Sequence, residues 1–271
     1  MPKLRCSGLG ILSVPLKKPK IFAFANQKGG VGKTTTTINL AAAFAEIGYK
    51  VLILDLDPQG NASTGLGSSA EDREFTTYDV LVGQKIESKH VIETKTKNIF
   101  IVPSTTDLSS VDIELATSNN RSQLLANVIQ NSELSKFDYV FMDCPPSLSV
   151  LTVNAFIAAD SLIIPLQSEF FALEGLSQLI LSVREVRKFG NPSLRIEGVV
   201  LTMYDARNKL SLQVEEDARE NLGELVFKTI IPRNVRISEA PSFAKSVLSY
   251  DTKSKGAVAY RALAKEILER S

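Results

Sequence analysis

The stretch Lys28-Gly29-Gly30-Val31-Gly32-Lys33-Thr34-Thr35 follows an apolar run at residues 20–25 and opens a helical pattern. Closely spaced glycines between a strand and a helix let backbone N–H groups close around anionic oxygens, and the helix N-terminus adds partial positive charge. Lys33 can reach the β- and γ-phosphates, and Thr34 can ligate Mg²⁺. The stretch therefore predicts a phosphate loop and the binding of a nucleoside triphosphate.

This loop departs from the common pattern G-x-x-x-x-G-K-[ST] at its start. Gln27 stands where the first glycine is usual, and a second lysine, Lys28, stands at the entrance of the loop. The resulting form, Lys-Gly-Gly-x-Gly-Lys-[Ser/Thr], resembles the deviant phosphate loop of the ParA/MinD group of ATPases.

Short apolar runs alternate with amphipathic segments from residue 20 onward. Strands are predicted at residues 21–25, 51–55, 99–102, 139–142, 161–165, 196–202 and 226–231, from their near-continuous apolar character. Helices are predicted from a 3.6-residue spacing at residues 34–47, 124–134, 149–158, 173–189, 210–222 and 257–270. The pattern indicates an α/β fold, a P-loop NTPase with a mainly parallel twisted sheet and helices on both faces. Residues 63–97 are expected to form an insertion of short helices and loops.

The composition favours one α/β domain preceded by a short extension. The chain has 271 residues, of which 44% are hydrophobic, enough for a large single core. Residues 1–20 carry five basic groups and no acidic ones, so we expect a basic extension at 1–19 and an ATPase domain at 20–271. No apolar run approaches the ~18–20 residues needed to cross a bilayer, and no membrane partner is expected. Cys6 and Cys144 form no disulfide framework, which fits a reducing cytoplasm.

Two carboxylates end the second predicted strand, in Leu54-Asp55-Leu56-Asp57-Pro58. Ligands gather at the carboxyl ends of parallel strands, so these acids face the same edge as the phosphate loop. If the backbone turns near Pro58, both can converge on the metal and the water of the nucleotide. The alternative is a pair of ordinary turn acids.

A third motif ends the run at residues 137–142, where Asp143 follows four apolar residues and precedes Cys144 and two prolines. A strand buried on both faces fixes the position of the acid at its tip, which can then hold Mg²⁺ directly or through water. This is the arrangement of a Walker B strand. The alternative is a common turn residue at a strand end.

The resemblance covers the chain from about residue 20 to the C-terminus. It rests on the segments 26–36, 55–61 and 143–147, on Ala172-Leu173-Glu174-Gly175-Leu176, and on the segment 231–242, which begins Ile231-Pro232-Arg233. Together they are similar to the Soj/ParA branch of chromosome and plasmid partition ATPases.

That resemblance implies a set of roles, each given by its residue in this chain. Catalysis would use Lys33, Lys28 supplied from a partner subunit, and Asp57 as the acid that positions water. The implied metal residues are Thr34, Asp55 and Asp143. The nucleotide would be bound by Lys28, Gly29, Gly30, Val31, Gly32, Lys33, Thr34, Thr35, Pro232 and Arg233, the last two near adenine. Arg207 and Arg236 match basic positions used for DNA binding.

The function implied is an ATP-gated DNA-binding switch for chromosome or plasmid partition. ATP and Mg²⁺ would close a homodimer that binds DNA without sequence specificity, and a ParB-like protein would stimulate slow hydrolysis. Contacts of this kind go to the phosphate backbone and are strongly salt-dependent. The expected location is cytoplasmic and nucleoid-associated.

Three other functions compete with this one. A MinD-like membrane-cycling positioning ATPase would share the ATP site but needs an amphipathic basic helix, and the helix predicted at 257–270 mixes acids among its bases. An iron–sulfur reductase or carrier needs paired cysteines, which two isolated ones do not supply. A small-molecule phosphotransferase would need an acceptor site, and no signature of one is visible.

Overall fold

A seven-stranded sheet organises the chain in the computed structural model, which describes residues 18–115, 120–169 and 172–270. The strand order is β3-β4-β2-β5-β1-β6-β7. All neighbouring strands are parallel except the short β3, which runs antiparallel to β4. The strands are β1 Lys20–Phe24, β2 Val51–Asp55, β3 Ile92–Glu93, β4 Ile99–Val102, β5 Tyr139–Asp143, β6 Ser161–Gln167 and β7 Arg195–Thr202.

Helices cover both faces of this sheet. The helices are α1 Lys33–Ile47, α2 Asn61–Gly65, α3 Thr77–Leu81, α4 Val111–Glu114, α5 Leu124–Asn131, α6 Val150–Ala158, α7 Ala172–Phe189, α8 Lys209–Leu222, α9 Val235–Glu239, α10 Val247–Tyr250 and α11 Lys255–Arg270. The mainly parallel α/β sheet predicted from the sequence is confirmed. Several short helices, among them α4, α9 and α10, are absent from the prediction because they carry too few residues to show a period.

Alternation along the strands divides the core into two layers. In β1, Phe22 and Phe24 pack with Phe141 against α1 and α11, whereas Ile21 and Ala23 pack on the opposite face against α5, α6 and α7. Successive strand side chains point to opposite faces, so a strand buried on both sides must be apolar throughout. This explains the unbroken apolar runs in the sequence.

The last helix, α11, packs on the phosphate-loop helix α1. Its apolar stripe, which includes Tyr260, Leu263 and Ile267, is buried in the core. The hydroxyl groups of Thr36 and Tyr260 lie 3.4 Å apart. The apolar face of this helix is therefore used inside the protein, as the sequence favoured.

The prediction of a strand at residues 226–231 is wrong. Only its two ends follow β7, with Phe227 N bonded to the Val199 carbonyl at 2.9 Å and Ile231 N to the Leu201 carbonyl at 2.8 Å. Between them, the N–H groups of Lys228 and Thr229 donate to the carboxylate of Glu266 on α11. The segment bends away from the sheet because a helix side chain takes the hydrogen bonds that a strand would need.

Part of the N-terminal extension predicted at 1–19, residues 1–17 with Cys6, lies outside the described residues. Among the helices that the structure describes, none is long and apolar enough to cross a membrane.

Candidate functional site

A cavity of about 1040 Å³ opens at the carboxyl ends of the parallel strands. One wall is the loop between β1 and α1, and the opposite wall comes from the segments that follow β7. The described residues lining it include Gly29, Gly30, Gly32, Lys33, Thr34, Thr35, Asp57, Gln167, Glu169, Thr202, Pro232, Arg233 and Tyr260. Most of the predicted phosphate loop therefore lines one large cleft.

Two glycines give the loop its shape. Gly30 and Gly32 have φ angles of 75° and 88°, in the left-handed region that side chains with a Cβ rarely adopt. The loop is tied to the end of β7, because the hydroxyl of Thr202 donates to the carbonyl of Val31 at 2.8 Å. The amide groups of the loop are thereby held at the start of α1, where the helix dipole favours an anion.

Lys33 projects into the interior of this loop. Its side chain is buried, and its ammonium donates to the carbonyl of Lys28 at 2.9 Å. Burial lowers the pKa of Lys33, an effect that the nearby Asp143 partly opposes. A buried cation at the base of an amide-lined loop is suited to bind a polyphosphate.

Lys28 lies at the rim of the cleft, and its ammonium contacts Glu169 rather than the loop. Its ammonium is ion-paired with the carboxylate of Glu169, which also accepts a hydrogen bond from the amide of Gln167. The backbone N–H of Lys28 donates to Asn26 Oδ1 at 3.0 Å. The two lysines of the motif thus have different surroundings within one chain.

Asp143 carries an unpartnered carboxyl oxygen beneath the loop. The residue is fully buried, and its Oδ1 accepts a hydrogen bond from Thr37 Oγ1 at 3.1 Å, while its Oδ2 has no hydrogen-bond partner among the described residues. Burial raises the pKa of Asp143, and repulsion from Asp55 adds to the increase. Thr34 also contacts this carboxylate through its hydroxyl. A buried carboxylate oxygen without a donor, next to a threonine hydroxyl, fits a divalent cation such as Mg²⁺.

The two acids at the end of β2, Asp55 and Asp57, have separate environments. Asp57 lines the cavity and accepts a hydrogen bond from Gln59 N at 3.0 Å. Asp55 does not line it; both of its carboxylate oxygens accept hydrogen bonds, from Asp57 N and from Ser63. Burial raises the pKa of Asp55. Of the predicted pair, only Asp57 lines the cleft, and the carboxylate of Asp55 is already hydrogen-bonded on both oxygens.

Several cavity residues were not singled out from the sequence. Gln167 ends β6 and Glu169 follows it, Thr202 ends β7, and Tyr260 reaches the cleft from α11. The position of Glu169 just after a strand was a signal that could have been used, since ligands collect at strand ends. Tyr260 offered no local signal, because its contact depends on how α11 packs.

Arg207 and Arg236 lie outside the lining of the cavity, and each is paired with acids. The guanidinium of Arg207 makes two hydrogen bonds to Asp205, at 2.9 and 2.8 Å. Arg236 contacts Glu239 at 2.8 Å and Asp251 at 3.5 Å. Both arginines are exposed, but their charges are balanced within the chain.

Comparison with known proteins identifies the family to which the chain belongs. A family model described as an AAA domain matches residues 19–196. The chain is 52% identical over 252 residues to the chromosome partitioning protein ParA of Caulobacter vibrioides, a match that covers 93% of this chain and 94% of that protein. The chain belongs to the ParA/Soj family of partition ATPases.

Other members and neighbours of the ParA/Soj family agree on the fold. The sporulation initiation inhibitor protein Soj of Bacillus subtilis is 48% identical over 248 residues, covering 92% of this chain and 98% of that one. A crystal structure described as cobyrinic acid a,c-diamide synthase from Mycobacterium smegmatis, with bound ATP analogue and magnesium, superposes with a TM-score of 0.80 at 35% identity, covering 93% and 95% of the two chains. The P-loop architecture predicted from the sequence is confirmed.

Proposed function

We propose that this chain is a Mg²⁺-ATP-dependent partition switch, with residues 20–271 forming its ATPase domain. The observation that carries the proposal is the juxtaposition of Lys33 with the unpartnered Oδ2 of Asp143 beneath a glycine loop. A buried lysine for phosphate and a buried carboxyl group for metal are the two groups that a Mg²⁺-nucleotide site requires. The relative with bound ATP analogue and magnesium supports the same ligands.

The phosphates would be held by the loop and by Lys33. Backbone amides from Gly29 to Thr35 surround the anionic oxygens, with Gly30 and Gly32 keeping the backbone open. Pro232 and Arg233 lie on the opposite wall, where they would bound the adenine side of the nucleotide. The cleft is large enough for a whole nucleoside triphosphate, since ligand pockets span ~300–1000 Å³.

The metal would be held by Thr34 and Asp143. A bound Mg²⁺ supplies positive charge to the β- and γ-phosphates. Asp57 lines the cleft near the loop and would orient the attacking water through its carboxylate. Lys28 would act across a face-to-face homodimer, bringing a second cation to the partner's phosphates in the manner of an arginine finger.

The DNA-bound state would use the basic surface of the last third of the chain. Residues 181–271 have a net charge of +4, whereas residues 21–180 have −8. Arg207 and Arg236 would leave the acidic residues that they contact within the chain and would contact phosphate oxygens of the DNA backbone instead. Dimerisation doubles the charge presented, so ATP binding would raise the affinity for DNA. A ParB-like protein would then stimulate hydrolysis and release, on the nucleoid in the cytoplasm.

The decisive experiment measures DNA binding by the purified protein with ATP, with ADP and without nucleotide, across a salt series. Binding with ATP alone that is lost at high salt and in Lys33→Ala supports the switch. The paired variants Arg207→Ala and Arg236→Ala should weaken ATP-dependent binding, with Lys89→Ala as the matched control, because Lys89 is an exposed, ion-paired cation outside the last third. Binding to lipid vesicles is measured in parallel. If ATP makes the protein bind vesicles but not DNA, the proposed DNA function is wrong.

A further inference from the structure

The carboxylate of Asp55, at the last position of β2, is enclosed and hydrogen-bonded on both oxygens. Asp55 Oδ1 accepts from Asp57 N at 3.2 Å. Asp55 Oδ2 accepts from Ser63 N at 2.8 Å and from Ser63 Oγ at 2.6 Å. All three donors belong to the segment 57–63, which brings Asp57 and Asn61 to the cavity wall.

Ser63 connects this carboxylate to the neighbouring strand. Its hydroxyl donates to Asp55 and accepts a hydrogen bond from Ser104 N at 3.0 Å, just beyond β4. The carbonyl of Ser104 accepts from Arg73 Nη1 at 2.9 Å, and Arg73 Nη2 donates to Thr64 Oγ1 at 2.9 Å. Thr64 lines the cavity. The hydrogen bonds therefore hold α2 from two sides.

Helix α2 needs such an anchor because it is short. It has five residues, and Gly60 at its N-cap makes no side-chain capping hydrogen bond. A helix of this length is not stable by itself, and its first N–H groups need acceptors. Asp55 supplies the acceptor for Ser63 N, so it caps α2 from the strand that precedes it.

The turn that carries Asp57 is packed closely against the same anchor. Gly60 has a φ angle of 62°, and a Cβ added there would lie 2.7 Å from Arg73 Nη1. Gly60 N also donates to the carbonyl of Asp57 at 2.9 Å. The position of the Asp57 carboxylate is thus set by a turn that Asp55 fixes at one end and Arg73 fixes at the other.

We propose that Asp55 is a positioning residue rather than a metal ligand: through Ser63 it holds the turn and the helix that aim Asp57 into the cleft. This inference rests on the proposed role of Asp57 in orienting water. Asp55 leaves the metal to Thr34 and Asp143, and it acts on the reaction only through the placement of Asp57.

The test compares Asp55→Asn, Ser63→Ala and Ser104→Ala. An asparagine offers one acceptor oxygen in place of two, so at least one donor of the segment 57–63 loses its partner. Ser63→Ala removes the relay and leaves every carboxylate intact. Ser104→Ala is the matched control, because this buried serine joins the network through its main chain, while its hydroxyl donates, among the described residues, only to the carbonyl of Thr105.

Turnover and metal dependence separate the two roles of Asp55. Asp55→Asn and Ser63→Ala should each lower kcat about 10- to 100-fold, since a misplacement of about 1 Å costs on that order. The double variant should be no slower than Asp55→Asn, because both changes break one unit. The Mg²⁺ concentration that half-saturates binding of a non-hydrolysable ATP analogue should stay within twofold of the unmutated value.

Hydrogen exchange supplies a readout that does not depend on turnover. The amides of residues 57–66 should exchange faster in Asp55→Asn and Ser63→Ala, and at the unmutated rate in Ser104→Ala. An increased Mg²⁺ requirement confined to Asp55→Asn, or unchanged exchange in Ser63→Ala, would overturn the proposal. Ser63→Ala decides the question even if Asp55→Asn does not fold. If Asp57→Ala retains turnover, the proposed role of Asp57 is wrong. Hydrogen exchange of residues 57–66 would still show whether Asp55 and Ser63 hold the turn and α2.

Discussion

Within one chain, the ammonium of Lys28 is held by the carboxylate of Glu169, while the other lysine of the loop, Lys33, turns inward. The side chains of Lys28 and Glu169 are 40% and 41% exposed, so their ion pair lies at the rim of the cleft. If Lys28 crosses to a partner subunit, it must first leave Glu169. The intramolecular pair therefore competes with dimerisation.

Glu169→Gln should strengthen the ATP-dependent homodimer. Exposed ion pairs contribute about 0.2–1 kcal/mol each, and a symmetric dimer breaks two of them, which corresponds to a decrease of roughly 2- to 30-fold in the dimer dissociation constant. Sedimentation velocity with a non-hydrolysable ATP analogue measures the effect. Glu185→Gln is the matched control, because it removes the acid of another exposed pair, with Lys188 on α7. An unchanged dissociation constant in Glu169→Gln would show that the pair does not compete.

Asp205→Asn should increase ATP-dependent binding to DNA. The side chain of Arg207 is 91% exposed, and its guanidinium is held by Asp205. Loss of that acid frees the arginine, and the gain in affinity should be about 1.4- to 5-fold, the range for an exposed pair. Fluorescence anisotropy with a labelled duplex tests this. Arg207→Ala should move the affinity in the opposite direction; an effect of the same sign for both variants contradicts the assignment.

Stability without nucleotide should fall as pH rises, through Asp143. Burial raises the pKa of Asp143 to about 8, whereas an unfolded aspartate ionises near pH ~4. Between these values the folded state keeps a proton that the unfolded chain has lost, so folding is progressively disfavoured. The difference in Tm between Asp143→Asn and the unmutated protein should therefore increase from pH 5 to pH 8.

Melting curves in a chelating buffer measure that difference, with Glu185→Gln as the baseline for an exposed acid. The increase should level off above the raised pKa, where both states are ionised. A difference that stays constant across the range would mean that Asp143 does not titrate in it.

Two glycine substitutions should change stability in opposite directions. A Cβ at Gly198 on β7 would lie 2.5 Å from the ring of Phe227, so Gly198→Ala should destabilise the fold by about 1–3 kcal/mol. Gly175 on α7 has open space around it, so Gly175→Ala should stabilise the fold by about 0.5–1 kcal/mol through helix propensity. Urea unfolding of both variants gives the comparison. Equal effects of the same sign would contradict the packing of Phe227.

The sequence predicted the parts of the site that lie within one short segment of the chain. The phosphate loop and Asp143 could be predicted from short segments. The spacing of the glycines fixes the backbone shape of the loop, and an apolar run that ends in an acid fixes the burial of Asp143. The partner of Lys28 could not be read in this way, since Glu169 is 141 residues away and meets it only through the order of β1 and β6. The error at residues 226–231 has the same origin, because Glu266 on α11 captures hydrogen bonds that the local sequence assigns to a strand.

The contact between α1 and α11 also has a consequence during synthesis of the chain. Tyr260 contributes to the cleft from a helix that is made more than 200 residues after the phosphate loop. A ribosome that has translated the loop, the sheet and Asp143 still holds a chain whose cleft lacks Tyr260. The cleft is complete only once α11 has been made and has packed on α1, so the last helix of the chain completes a site whose phosphate loop is made first.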